Sequence, residues 1–193
     1  MHPWNRFEVE RVWRPKRLCC LIVGENPGSV ESTYFYDAPK NYAKDPVAVR
    51  RCLLRGLRSQ KLLATATLEG FRDAGFLFDH AIRCPLPKEI VDEERNAAVR
   101  YASIRVQNPA HLLVSLSQAP IVWVMGHLAS NAVANLCREF PKKRRRISQA
   151  PFPGEVAPSS RFFVPQYFTW RNEEDTAGIC AAFMQFARTR SVF

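Results

Sequence analysis

Four short apolar runs, separated by helical stretches, constrain this chain more than any other feature. Arg17-Leu-Cys-Cys-Leu-Ile-Val23 and Ile121-Val-Trp-Val-Met125 are continuous rather than alternating, and each is stopped by a glycine, Gly24 or Gly126. Strands buried on both faces read this way, because neither side of the pleat meets water. Phe76 to Arg83, closed by Cys84-Pro-Leu-Pro87, and Arg161 to Val164 are the other two strand candidates. Between them lie helical patterns. Asp45 is expected as an N-cap with Pro46 at the first helical position, ahead of a stripe of Val49, Leu53, Leu54 and Leu57. A second helix is expected over about 60–74, stopped by Gly75. Further helices are expected over 93–105, from Asn108-Pro109 through Leu116, over 128–140, and after Asn172-Glu-Glu-Asp175 with a stripe of Ile179, Phe183 and Phe186.

Strands alternating with helices predict an α/β fold: one domain with a central four-stranded parallel sheet flanked by helices. Ligands in such folds bind beyond the carboxyl ends of the strands. The segments to watch are therefore Gly24–Gly28, Asp79–Pro87, Gly126–His127 and Pro165–Asn172.

Charge narrows the partner. The 193 residues carry a formal net charge of +10, and a folded domain this basic is expected to meet a polyanion, with nucleic acid first. Five cations, Lys142, Lys143, Arg144, Arg145 and Arg146, form one block. Phosphate contact, a solvated charge run and a nuclear targeting signal are all open for it. No apolar run is long enough to span a membrane, and the start of the chain does not read as a signal peptide. The expectation is a monomer that is not secreted and has no membrane partner, cytoplasmic in a bacterium or nuclear in a eukaryote. The six cysteines contain no C-x-x-C pair, so buried thiols are expected, with no metal and no cofactor.

Three segments, in order, carry a family likeness over about residues 17–136. Leu21-Ile-Val-Gly-Glu-Asn-Pro-Gly28, Asp79-His-Ala-Ile-Arg-Cys-Pro85 and Ile121-Val-Trp-Val-Met-Gly-His127 resemble the three successive strand-end motifs of the uracil-DNA glycosylase superfamily. The first combines Glu25, as in the iron–sulfur branch, with Asn26, as in the mismatch-specific branch. The resemblance implies a three-layer glycosylase-like fold and an enzyme that flips uracil out of DNA and hydrolyses its N-glycosidic bond. Its partner would be DNA containing uracil or abasic sites. Where the superfamily has His-Pro-Ser, this chain has Val164-Pro-Gln-Tyr-Phe-Thr-Trp-Arg171, with no histidine. Cys84 falls on a ligand position of the iron–sulfur branch, but the other cysteines do not follow its spacing.

The resemblance implies roles residue by residue. Asn26 would position the water, with Glu25 as the rival and stronger base; the alternative for Asn26 is a brace for its own turn. Gly24 and Gly28 would let backbone approach the base, and Gly28 stands where strict uracil enzymes carry a bulky tyrosine. Of Tyr34, Phe35 and Tyr36, the stacking partners are expected to be Phe35 and Tyr36, against the alternative of packing their loop on the core. His80 would read the uracil edge or steady the leaving anion, or else serve as a core histidine. By position Tyr167 or Gln166 would stand in for the missing histidine, with Tyr167 as the base-binding choice. Phe168 and Trp170 would wedge the duplex while Arg171 meets phosphate. Two other functions remain open at this point: a non-catalytic reader of uracil, abasic or damaged DNA, and a nucleotide-processing hydrolase.

Overall fold

The computed structural model describes residues 12–25, 34–37, 39–81, 109–126, 129–130, 132–133, 136, 161–165 and 173–190. Its centre is a sheet of β1 (Cys20–Gly24), β2 (Phe76–His80), β3 (Ile121–Val124) and β4 (Phe162–Phe163). All pairings are parallel and the order is β2-β1-β3-β4. Every residue of β1 and β3 is buried, as the unalternating runs require.

Register sorts the side chains into two faces. Cys20 and Ile22 lie level with Phe76 and Phe78 of β2, and with Ile121 and Trp123 of β3; Trp123 is level with Phe163. This aromatic face is covered by the helix α4 (Glu173–Arg188), which stacks Phe183 on Trp123 at 4.6 Å and tilts it against Phe163 at 5.4 Å. Leu21, Val23, Leu77, Asp79, Val122 and Val124 form the opposite face.

The helices α1 (Ala48–Ser59) and α2 (Leu68–Asp73) join β1 to β2. Phe71 of α2 stacks on Phe76 at 5.2 Å, so this connection lies on the aromatic face. The next connection, through α3 (Pro109–Gln118), runs back past β1 to β3. Right-handed crossovers place a connection of reversed direction on the opposite face. After β3 the residues 129, 130, 132, 133 and 136 are helical. No helix among the described residues is long and apolar enough to cross a membrane.

Several element expectations need correction. The helix α1 starts at Ala48 with Val47 as its cap residue, not at Pro46 with Asp45 as cap. Asp45 is buried and spends its carboxylate on Arg50, while Oδ1 also accepts from the Val47 N–H. The segment 60–74 is not one helix. Lys61 takes a left-handed φ of 61°, which ends α1. Helix resumes only at Leu68, where Thr67 Oγ1 caps by accepting from the Gly70 N–H. Gly75, at φ 87°, then stops it. The strand β2 ends at His80, short of Arg83. The buried line on α4 is Thr176, Cys180, Phe183 and Ala187, with Ile179 and Phe186 on its margin. The helix expected over 93–105 lies outside the described residues.

Cys19, Cys20, Cys52 and Cys180 are free and buried; Cys84 and Cys137 lie outside the described residues. Burial pushes the Cys20 thiol well above its ordinary range. Burial first, and then the neighbouring Cys52, pushes that of Cys180 up to about 12.

Candidate functional site

Three strands deliver backbone to one place. β1 ends at Gly24, level with His80 at the end of β2, and the Ala81 N–H donates to the Gly24 carbonyl at 2.8 Å. On the other side Met125, just past β3, donates its N–H to the Val23 carbonyl at 2.9 Å. From β1 the chain goes on to β2, and from β3 to β4 on the opposite side. Where neighbouring strands send their connections apart, a crevice opens beyond their carboxyl ends. Here that switch point falls between Gly24 and Val124.

Glu25 is the first residue past β1 and is partly buried. Gly126 occupies the matching place past β3, with a φ of 89° that side chains rarely adopt. A Cβ on Gly126 would sit 2.5 Å from Glu25 Oε1 and 2.9 Å from its Cδ. The carboxylate therefore lies against the bare Cα of Gly126, in space that any other residue would fill. The Gly126 carbonyl accepts from the Ser130 N–H at 3.1 Å and from Ser130 Oγ at 3.0 Å, which anchors this turn to the helical residues that follow.

His80 ends β2, level with Gly24 and across β1 from the switch point. Its imidazole lies edge-on to Phe78, with centroids 4.9 Å apart, and near-parallel to Tyr34 at 6.2 Å. Gly24 makes room for this: a Cβ there would meet Phe78 Cζ at 2.9 Å and His80 Cδ2 at 3.5 Å. Asp79 belongs to the other face; it is buried, and its Oδ1 accepts the His80 N–H at 2.7 Å. The Glu25 carboxylate thus stands on the β3 side of the β1 end, and the His80 imidazole with the Tyr34 ring on its β2 side. Such a set can draw a proton from water and hold a polar ring by hydrogen bonds and stacking.

Phe35 and Tyr36 are not available for that stacking, which corrects the expectation for both. Phe35 is 1% exposed, its ring stacked on Phe78 at 4.2 Å and flanked by Phe71 at 5.4 Å. The Tyr36 hydroxyl accepts from the Phe78 N–H at 2.6 Å and donates to the Phe78 carbonyl at 2.8 Å. β2 is an edge strand, so this ring satisfies backbone groups that would otherwise be buried without partners. Tyr34, partly buried, is the residue of this loop whose ring lies against His80, on which Phe78 also packs.

A residue missed by the sequence reading holds Tyr34 in place. Arg50 is 1% exposed, with Nε 2.5 Å from Asp45 Oδ2 and Nη2 2.7 Å from Asp45 Oδ1. Its Nη1 donates to the carbonyls of Tyr34 and Phe35 at 2.9 Å each, and to that of Asp37. The signal was present: Arg50 precedes Leu53, Leu54 and Leu57 by three, four and seven residues, and so shares their inward face.

Asn26 and Gly28 lie outside the described residues, as do Lys142, Lys143, Arg144, Arg145, Arg146, Tyr167, Phe168, Trp170 and Arg171. Among the described residues no group of three or more His, Cys, Asp or Glu side chains is placed to hold a metal. Compared with known proteins, the chain matches no family model, no curated protein and no solved structure.

Proposed function

We propose that this protein is a DNA N-glycosylase that removes uracil, with Glu25, His80 and Tyr34 in its base pocket. The observation that carries the proposal is the lodging of the Glu25 carboxylate against Gly126, in the crevice between β1 and β3, beside a β2 end that presents His80. The motif order along the sequence and the net charge of +10 support the choice of DNA.

In this mechanism the target nucleotide leaves the base stack and its uracil enters the crevice. A water held by Glu25, with Asn26, the next residue in the sequence, as the second polar group, attacks the anomeric carbon of the sugar. The new bond forms between the water oxygen and that carbon, and the water proton passes to the carboxylate. The carbon–nitrogen bond breaks, and its electron pair leaves with the uracil anion. His80 hydrogen-bonds a base oxygen on which that charge gathers, which lowers the barrier more than it tightens substrate binding. Tyr34 takes the stacking role and keeps the imidazole plane fixed.

The test is incubation of the purified protein with a uracil-containing oligonucleotide, followed by alkaline cleavage at abasic sites. Strand breaks at uracil alone support the proposal, and Glu25→Gln should then lower the rate by about 100-fold or more. No breaks with uracil, under conditions in which the protein binds the oligonucleotide, would overturn it. One specific observation favours a second reading. Val164 to Arg171 lacks the histidine that its relatives by resemblance carry, so a reader that binds uracil or abasic DNA without turnover would give tight binding and no product.

A further inference from the structure

We infer that Arg50 is a positioning residue of the strand-end site: through the backbone of the Tyr34–Asp37 turn it sets where the Tyr34 ring stands against His80. Each of its three guanidinium nitrogens is engaged. Nε and Nη2 bind the Asp45 carboxylate, and Nη1 donates to the carbonyls of Tyr34, Phe35 and Asp37. Asp45 is fixed in turn, because its Oδ1 also accepts from the N–H of Val47, the cap residue of α1, at 2.9 Å. The turn closes on itself with the Asp37 N–H donating to the Tyr34 carbonyl at 3.2 Å, so that carbonyl takes one bond from the turn and one from Arg50. Successive rings then leave the turn in different directions. Phe35 packs into the core against Phe78, and Tyr36 reaches the Phe78 backbone. Tyr34 lies against His80, with centroids 6.2 Å apart and 29° between the planes.

A role in stability alone accounts poorly for this arrangement. Asp45 and Arg50 are both buried, and a buried ion pair is often no more stabilising than apolar side chains of the same volume, because both charges leave water. What the pair supplies is direction. A guanidinium is a rigid planar fork, so groups that meet it on two sides are fixed relative to one another. Here one side meets the cap of α1 and the other meets the turn. Phe35 and Tyr36 are anchored by their own side chains, the first by ring packing and the second through its hydroxyl. Arg50 acts on the backbone at Tyr34, whose side chain is only partly buried and stands at the site. Such indirect control matters because a reacting geometry tolerates little error: a misplacement of about 1 Å can cost about 100-fold in rate.

The inference rests on the site proposed above, but its first readout does not use turnover. It is the His80 imidazole C–H resonance in the proton–carbon NMR spectrum of the full folded chain at one fixed pH, assigned by its loss in His80→Gln. The ring current of Tyr34 acts on that resonance, and Tyr34→Leu gives the shift that follows its removal. Arg50→Lys and Asp45→Leu/Arg50→Met should move the resonance the same way, and should add little in the Tyr34→Leu background, as residues acting through one another do. The paired apolar replacement keeps the test open should Arg50→Lys fail to fold, because it removes both charges together. Leu57→Ala, buried on α1 about 10 Å further along, lowers stability and should leave the resonance in place. An unmoved resonance in the folded Arg50 variants overturns the inference, as does an equal movement in Leu57→Ala. The abasic-site assay keeps the two proposals apart. Where wild type releases uracil, the Arg50 variants should release it up to about 100-fold more slowly. Movement of the resonance with no release by wild type removes the glycosylase alone; release with an unmoved resonance removes the positioning role alone.

Discussion

Gly75 and Gly126 have nearly the same backbone, at φ 87° and 89°, yet they sit at opposite ends of the sheet and serve different ends. Gly75 precedes β2. Its carbonyl accepts the N–H groups of Cys19 and Cys20 at 2.8 and 3.1 Å, and a Cβ would meet Cys19 Sγ at 2.7 Å and the Arg17 carbonyl oxygen at 2.8 Å. Gly126 follows β3, and what its missing Cβ admits is the Glu25 carboxylate. At the amino ends of the strands, the glycine lets chain close on chain. At the carboxyl ends, the same conformation clears space for an ionisable side chain. Conformation alone does not identify a site; what fills the space beside the glycine does.

If the carboxyl ends are built to hold a reactive group in place, the strongest perturbation should come from what fixes their loop. Asp45→Asn would leave the buried Arg50 guanidinium without its counter-charge. The expected loss is about 3 kcal/mol of stability, read from urea unfolding. Wild-type stability in that variant would mean that the Tyr34–Asp37 loop is held by something other than Arg50. Gly126→Ala comes next. The new Cβ must push Glu25 aside, and a misplacement of about 1 Å can cost about 100-fold in rate. If the proposed glycosylase reading holds, uracil release should fall by about that much, with DNA binding retained. Gly75→Ala should do the reverse: about 1–3 kcal/mol of stability lost to strain and overpacking, and an unchanged rate per folded molecule. Should Gly126→Ala prove a pure stability mutant, or Gly75→Ala slow turnover, the contrast between the two ends fails.

The sheet was legible in the sequence because strands buried on both faces leave unbroken apolar runs, and Cys20 to Gly24 and Ile121 to Val124 are such runs. The ends of β1 and β3 were legible for the same reason, whereas β2 stops at His80, short of the expected Arg83; Glu25 and His80 were singled out through the family resemblance rather than through the apolar runs. What escaped depended on contacts distant in sequence. Phe35 and Tyr36 read as loop aromatics, and nothing local says that the edge of β2 takes up the Tyr36 hydroxyl or that Phe71 and Phe78 wall in Phe35. Asp45 read as a helix cap because an Asp-Pro pair is a strong local signal, whereas its ion pair with Arg50 is tertiary. The segment 60–67 carries no Gly or Pro to mark the break that Lys61 makes.

The smallest expected effect supplies a control that lies off both strand ends. α4 packs on α1 where Gly56 faces Cys180: a Cβ on Gly56 would sit 2.6 Å from Cys180 Sγ. Burial there, aided by Cys52, raises the Cys180 thiol from 9.0 to about 12. The sign of the linkage follows. Below pH 9 the thiol is protonated in both the folded and unfolded chains, so pH has no leverage through it. Above pH 9 the unfolded chain gives up the proton while the folded one keeps it, so stability falls as pH rises towards 12. Between pH 9 and pH 10 wild type should lose about 1 kcal/mol more than Cys180→Ala, measured by urea midpoints at each pH. If the proposed glycosylase reading holds, the Cys180→Ala substitution should leave the pH profile of uracil release at lower pH untouched, because Cys180 lies at the α1–α4 seam and not at the strand ends. An equal alkaline loss in both proteins would show that the α1–α4 seam does not hold a neutral thiol. A shifted activity profile would show that the seam and the carboxyl ends of the strands are coupled, and that the division between framework and site is less sharp than the two glycines indicate.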